Sequence, residues 1–282
     1  MMDSPQTFST ELDSRAETLC EHGRRLLAQG DPVGASGYAR EALALTRDCL
    51  AAHTLLAHIE LTGEHYLRLL AKIHKHLRPR TYLEIGVAHG DSLAFVDKGT
   101  LAIGIDPQPT ITVPLRRSVR VIRETSDGFF AHRDLKTELS GKPLDLAFID
   151  GMHQFEYSLR DFIHIERHSS PNTAVFIHDC YPLDAVTAAR DRTTTFWSGD
   201  VWKVILCLKK YRPDLRVHTL AAPPTGLGIV RGLDRRSNVL QARLEEIYRE
   251  FISLPFSSIE SDKPANLNLV PGDWTTLRRL LS

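Results

Sequence analysis

From Glu11 to about Leu77, apolar residues return every three or four positions among Leu, Ala, Glu, Arg and His, a spacing that predicts three or four helices. After Pro79 the rhythm shortens. The runs TYLEI, LAIGI, SVRVI, LDLAFI, TAVFI, RVHTL and GLGIV read as seven strands, most of them separated by helix-compatible stretches. Such alternation implies an α/β unit with a mostly parallel sheet covered by helices on both faces. Only AAPPT joins the last two runs, too little for a crossover helix, so they are predicted to pair as an antiparallel hairpin at the sheet edge. The segment TTTFWSGDVWKVILCLKKY reads as an amphipathic helix opened by a Ser-Gly-Asp cap, with Trp202, Ile205 and Leu206 packing inward. Past Gly232, Leu240, Leu244, Ile247 and Phe251 share one helical face, and a short helix is expected from Trp274 to Leu281.

Residues 19–59 resemble a tetratricopeptide-type helical hairpin: Gly23, Ala35 and Ala42 fall where helices must approach closely, and Gly30-Asp31 makes the turn. A single hairpin of this kind cannot bury its own face, so it is expected to pack on the rest of the chain or on a second subunit, a route to a homo-oligomer. The expected division is a helical, TPR-like cap over 1–78 and the α/β domain with its C-terminal helices over 79–282.

The chain has 282 residues, with 35 basic and 35 acidic side chains that cancel. The long-range field that gathers nucleic acid or anionic lipid is therefore missing, and neither is an expected partner. Apolar runs such as AVFI and VILCL are far too short to span a bilayer, and the polar opening MMDSPQTFSTELDSR lacks the features of a signal peptide. Cys20, Cys49, Cys180 and Cys207 stand far apart with no C-x-x-C pair, which suits a reducing, cytoplasmic setting.

The first strand ends in LEIGVAHGDS, a glycine-punctuated turn expected to open a helix, and the second ends at Asp106, 20 residues after Gly86. This is the layout of a nucleoside-binding βαβ unit. Glycine at 86 and 90 lets the backbone turn sharply and approach a ligand, and the acid after the second strand accepts ribose hydroxyls. A dinucleotide fingerprint needs glycine where Ala88 stands, and Glu84 would repel a pyrophosphate. The same carboxylate suits a ligand bearing an ammonium and a sulfonium, as S-adenosylmethionine does.

From Arg80 to about Gly232 the chain resembles the class I S-adenosylmethionine-dependent methyltransferases. Within them LEIGVAHGDS, IGIDPQP, FIDGMHQFEYSLRDF and FIHDCYPLD are similar to the small-molecule O-methyltransferases near the macrolide-sugar O-methyltransferases and cephalosporin-hydroxylase-type proteins. The resemblance implies a Rossmann-like fold with an antiparallel last strand. It also implies that Glu84, Gly86 and Gly90 surround the methionine moiety, Asp106 holds the ribose, and Ser126 and Asp127 lie near the adenine; the strand tip at Asp150 is expected to face the same cofactor cleft.

Asp150 and Asp179, at adjacent strand ends, form with His178 an oxygen-rich set for a divalent metal such as Mg²⁺ or Mn²⁺. Such an ion would grip a hydroxylated substrate and lower the pKa of its hydroxyl. Metal-dependent relatives carry an acid where this chain has His178, a departure that shifts preference towards Mn²⁺ or another transition metal, or signals that the metal was lost. His153, three residues past Asp150, is the first candidate for the proton acceptor, with Tyr157 and Asp161 on one face of the following helix; His178 is the alternative base. Trp197, Asp200 and Lys203 are expected to flank the acceptor side of the cleft, while His22, His53, His58, His65, His74 and His76 of the cap are expected at surface or packing positions.

The reading is an S-adenosylmethionine-dependent O-methyltransferase acting on a small hydroxylated molecule, a sugar or specialised metabolite. The alternatives are methylation of an amine without metal, and a cofactor-binding protein whose cap docks a partner. A hydroxylase ranks last, since the sequence offers no 2-His-1-carboxylate spacing for iron.

Overall fold

The computed structural model describes residues 5–282, with side chains from Glu11 onward, so the first four residues of the expected cap lie outside the described residues. Four helices come first: α1 (Pro5–Ala28), α2 (Pro32–Leu45), α3 (Leu50–Glu60) and α4 (Tyr66–Leu77). Asp31 caps α2 by accepting the Gly34 amide, just past the expected turn at Gly30. Gly23 is where α1 meets its neighbours: a Cβ there would stand 2.6 Å from Leu55 Cδ2 and 3.1 Å from the Ala35 carbonyl oxygen. With Ala35 and Ala42 fully buried, small residues set the close approach, as expected.

Helices α1 to α3 share their own cluster, built from Ala16, Cys20, Ala39, Ala42, Cys49, Ala52 and Leu55. Helix α4 belongs elsewhere: Leu69, Leu70 and Ile73 pack with Tyr82, Leu146, Phe148 and Phe176 of the sheet. His74 is buried edge-on against Tyr82, and His53 is buried and stacked on Phe196, both packing roles.

Among the described residues the sheet has eight strands, not seven. These are β1 (Thr81–Ile85), β2 (Leu101–Ile105), β3 (Val119–Ile122), β4 (Leu144–Ile149), β5 (Ser169–Ile177), β6 (Arg216–Leu220), β7 (Leu227–Arg231) and β8 (Leu269–Val270), in the order β3-β2-β1-β4-β5-β7-β6-β8. Strand β7 runs antiparallel to both β5 and β6. The β6–β7 hairpin forms as expected but is not the edge, because β8 pairs with β6, parallel, at Thr219↔Leu269 and Leu220↔Val270. A two-residue strand in a Ser/Pro-rich stretch has too little period to be read from sequence.

Alternate residues along each strand serve opposite layers. Leu83, Ile85, Ile103, Ala147, Ile149 and Ile177 face one core with α5 (Ser126–His132), α6 (Leu135–Glu138), α7 (Phe155–Arg167) and α8 (Trp202–Tyr211). Tyr82, Ala102, Leu146, Phe148 and Phe176 face the other, with α4. After β7 come α9 (Val239–Ala242), α10 (Leu244–Phe251), α11 (Ser257–Glu260), α12 (Lys263–Asn266) and α13 (Trp274–Leu281). Two expected helices differ. The turn after β1 opens only a 3-10 turn at Leu93–Phe95, since Val96, Asp97 and Gly99 are poor helix formers. The helix α8 is preceded by Val201, not capped by the Ser-Gly-Asp triplet, because the Asp200 carboxylate is taken by other groups.

Candidate active site

Strands β1 and β4 are neighbours, yet the chain leaves them towards opposite halves of the sheet, which opens a crevice at their carboxyl ends. The turns that line it are tightly built. Gly86 has φ +85°, and a Cβ there would stand 1.8 Å from the Asp150 carbonyl oxygen, so glycine is required by the packing of the turn itself. Asp106 Oδ2 accepts the amides of Val87 and Ala88, both at 2.9 Å, and Oδ1 accepts that of Gln108 at 2.7 Å. Ala88, His153 and Asp179 all take left-handed φ, at 46°, 54° and 61°, so three non-glycine residues hold costly backbone at the ends of β1, β4 and β5.

The crevice contains a cavity of about 400 Å³ whose walls include Gly86, Asp106, Ser126, Asp127, Asp150 and His153. Tyr157 and Asp161 of α7 close it, on one face as expected. Asp127 is held below its ordinary range by a bidentate pair with Arg160, at 2.6 and 2.8 Å. Asp161 is buried, its pKa pushed up to about 7 by loss of water, and its Oδ1 has no hydrogen-bond partner among the described residues.

Glu84 and Gly90 stand apart from these walls. Glu84 lies on the same strand face as Tyr82, fully buried, bonded to the Tyr82 hydroxyl at 2.5 Å and to Ser92 Oγ at 2.7 Å. Burial pushes its pKa up to about 8, so at neutral pH it carries little of the negative charge expected of it. Gly90, at φ +87°, faces Ile111 and Val113.

At the inner end of the crevice two acids and two histidines meet. His153 Nε2 is 3.4 Å from Asp150 Oδ1 and its Nδ1 is 3.1 Å from Asp179 Oδ2. His178 Nδ1 is 3.2 Å from Asp150 Oδ1 and 3.5 Å from Asp179 Oδ2. Burial alone would raise Asp150, but the two histidines reverse this and hold it well below the usual carboxylate range. Burial alone would lower the histidines, and the acids instead raise His153 to about 9 and His178 to about 10. The expected set of Asp150, His178 and Asp179 is thus brought together. Asp150, His153 and Asp179 also offer one ligand atom each within 4.8 Å of one another, which puts the expected base among the candidate ligands.

Asp179 Oδ2 is buried without a well-aimed donor among the described residues, despite the nearby imidazoles, which suits a cation. His178 turns Nε2 to Thr225 Oγ1 at 3.2 Å and packs against the Tyr66 ring at 4.0 Å. Neither Tyr66 nor Thr225 was legible as a site residue: each comes from a segment with no motif of its own and reaches the cluster only through the fold. Of the expected acceptor-side trio, Trp197 is stacked on His153 with centroids 5.2 Å apart. Asp200 and Lys203 form a buried pair at 2.9 Å, and Asp200 also accepts the Phe155 amide and Arg190.

Residues 83–180 match the family described as a methyltransferase domain, which spans the turn after β1, Asp106, the Asp150–His153 turn and the His178-Asp179 pair. Over those residues the chain is similar to methyltransferase domains. Similar solved structures include cofactor-bound Rv0187 from MTB, 15% identical over 59% of this chain and 79% of that one, at a TM-score of 0.46. The O-methyltransferase TomG from Streptomyces achromogenes, solved with SAM, is 15% identical over 71% and 88%, at 0.43. The SAH-bound methyltransferase PaMTH1 of Podospora anserina is 13% identical over 83% and 99%, at 0.46. No relative of the chain is found among the curated proteins. No helix among the described residues is long and apolar enough to cross a membrane.

Proposed function

We propose that the protein transfers a methyl group from S-adenosylmethionine to a hydroxyl of a small molecule. The observation that carries this is the crevice: a cavity bounded by the β1 turn, Asp106, Ser126 and Asp127 that ends at His153, itself flanked by Asp150 and Asp179. Asp106 Oδ1 accepts one amide and keeps a free lone pair for a ribose hydroxyl. The 400 Å³ space fits a nucleoside, and Asp161 offers a buried acceptor in its wall. Bound there, S-adenosylmethionine supplies an electrophilic methyl on a sulfonium.

An alcohol is a poor nucleophile until its proton is drawn away, and His153 stands where a general base is needed. Paired with two carboxylates it is held as imidazolium, so its lone pair must be freed first. A divalent ion such as Mg²⁺ or Mn²⁺ on Asp150 and Asp179, with His178 as the nitrogen ligand, would supply positive charge in place of the imidazolium protons. His178 is the less accessible base, since Thr225 and Tyr66 enclose its ring.

The helical segment ahead of α4 reads as one TPR-like hairpin packed on α3, consistent with the small residues at its seam.

The test is direct. Adenosylhomocysteine should bind in calorimetry, and labelled S-adenosylmethionine should mark hydroxylated acceptors in a panel that also holds amines. Labelling of amines alone would overturn the hydroxyl assignment, and no binding would overturn the cofactor.

A further inference from the structure

Three consecutive loop residues, Thr195, Phe196 and Trp197, join the helical cap to the candidate base. The exposed carboxylate of Asp48, between α2 and α3, takes both donors of Thr195: the amide at 2.5 Å and Oγ1 at 2.8 Å. Phe196 turns inward and stacks on His53 of α3, centroids 5.6 Å apart at 18°. Trp197 turns the other way and stacks on His153, 5.2 Å apart at 15°, with its carbonyl oxygen 3.4 Å from His153 Nδ1.

The loop then closes on the His153 main chain. The Asp200 amide donates to the His153 carbonyl at 3.1 Å, and a Cβ at Gly199 would stand 1.8 Å from that same oxygen. Trp197 is braced from behind, its Nε1 donating to the Ala189 carbonyl at 2.6 Å. His153 needs such support because its φ of +54° is one that a side-chain-bearing residue holds only when its surroundings insist. Residues 191–193, just before the tether, are exposed, so Asp48 is where this stretch gains an anchor outside the methyltransferase domain.

We propose that Asp48 is a positioning residue for His153: it fixes Thr195, and through Phe196 and Trp197 it holds the imidazole in its reactive orientation. The inference rests on the reading of His153 as the base. It gives the cap a task within the same chain. Misplacing a catalytic group by about 1 Å can cost on the order of 100-fold in rate, so loss of the tether should be visible in turnover before it is visible in folding.

Asp48→Ala, Asp48→Asn and His153→Ala proteins would be compared by steady-state kinetics, adenosylhomocysteine calorimetry and amide exchange of residues 191–200. D48A should lower kcat about tenfold, leave the Kd for adenosylhomocysteine within twofold, and speed amide exchange in that loop. D48N keeps an acceptor for the Thr195 amide and a partner for its hydroxyl, and should restore all three readings. If H153A is impaired while D48A matches the unaltered protein in kcat and exchange, the positioning role falls alone. If H153A turns over normally, the base reading falls and the positioning role with it.

Discussion

The carboxylate of Asp106 accepts the amide of Ala88 at 2.9 Å, which ties the end of β2 to the turn after β1. Ala88 sits at φ +46°, so the acid holds in place a conformation that the turn would leave if released. Asp106→Ala should therefore weaken adenosylhomocysteine binding at least tenfold and lower stability by about 1–3 kcal/mol. Asp106→Asn keeps one acceptor oxygen and should lose affinity with less loss of stability. Calorimetry beside chemical denaturation separates the two effects, and unchanged affinity in D106A would remove the residue from the cofactor site.

Glu84 makes a pH prediction. Its pKa rises on folding, from 4.5 to about 8, because the carboxyl is buried between Tyr82 and Ser92. An acid raised in this way favours the folded state while protonated. Its contribution is intact below about pH 4.5 and is lost as the pH climbs through about 8. Glu84→Gln cannot ionise and should lack this decline. Unfolding free energies measured at pH 5, 6.5 and 8 should show E84Q gaining on the unaltered protein by roughly 1.4 kcal/mol per pH unit at most. Parallel curves would show that Glu84 stays ionised in the fold.

These two acids show what could be read ahead of the structure. Asp106 was legible because its place after the second strand, 20 residues beyond Gly86, follows from local order, and the structure puts it in the wall of the cavity. The strands β1, β2, β4 and β5 were legible because both their faces are buried, which leaves nearly unbroken apolar runs. By residue type Glu84 reads as charged, and only its place on the Tyr82 face of the strand shows that water does not reach it. Asp200 reads as a helix cap until Phe155, Arg190 and Lys203 claim its carboxylate, Phe155 from another helix and far away in sequence. Tyr66 and Thr225 reach His178 by long-range packing, which no spacing rule registers.

His153→Ala should lower turnover by roughly 10²–10⁴-fold, the usual worth of a general base. Adenosylhomocysteine should bind nearly as well as before, since the walls formed by Gly86, Asp106 and Ser126 are untouched. A loss of kcat with the cofactor Kd held is the pattern of a group used in the transition state. A matched loss of affinity would instead mark His153 as part of the cofactor wall.

Asp179 tests the metal. Its buried Oδ2 faces His153 and His178, and one atom each from Asp150, His153 and Asp179 lie within 4.8 Å of one another. Both imidazoles are held protonated by the acids, so a divalent ion entering the cluster must displace protons. Mn²⁺ titration in buffers of differing ionisation enthalpy should therefore report proton release along with binding at a single site. Asp179→Asn removes one charge and should weaken that binding at least tenfold, and EDTA should suppress turnover until Mn²⁺ or Mg²⁺ is returned. If neither ion binds at millimolar concentration and EDTA leaves turnover unchanged, the four residues act as a charge-balanced network, and the two carboxylates serve to hold the histidines alone.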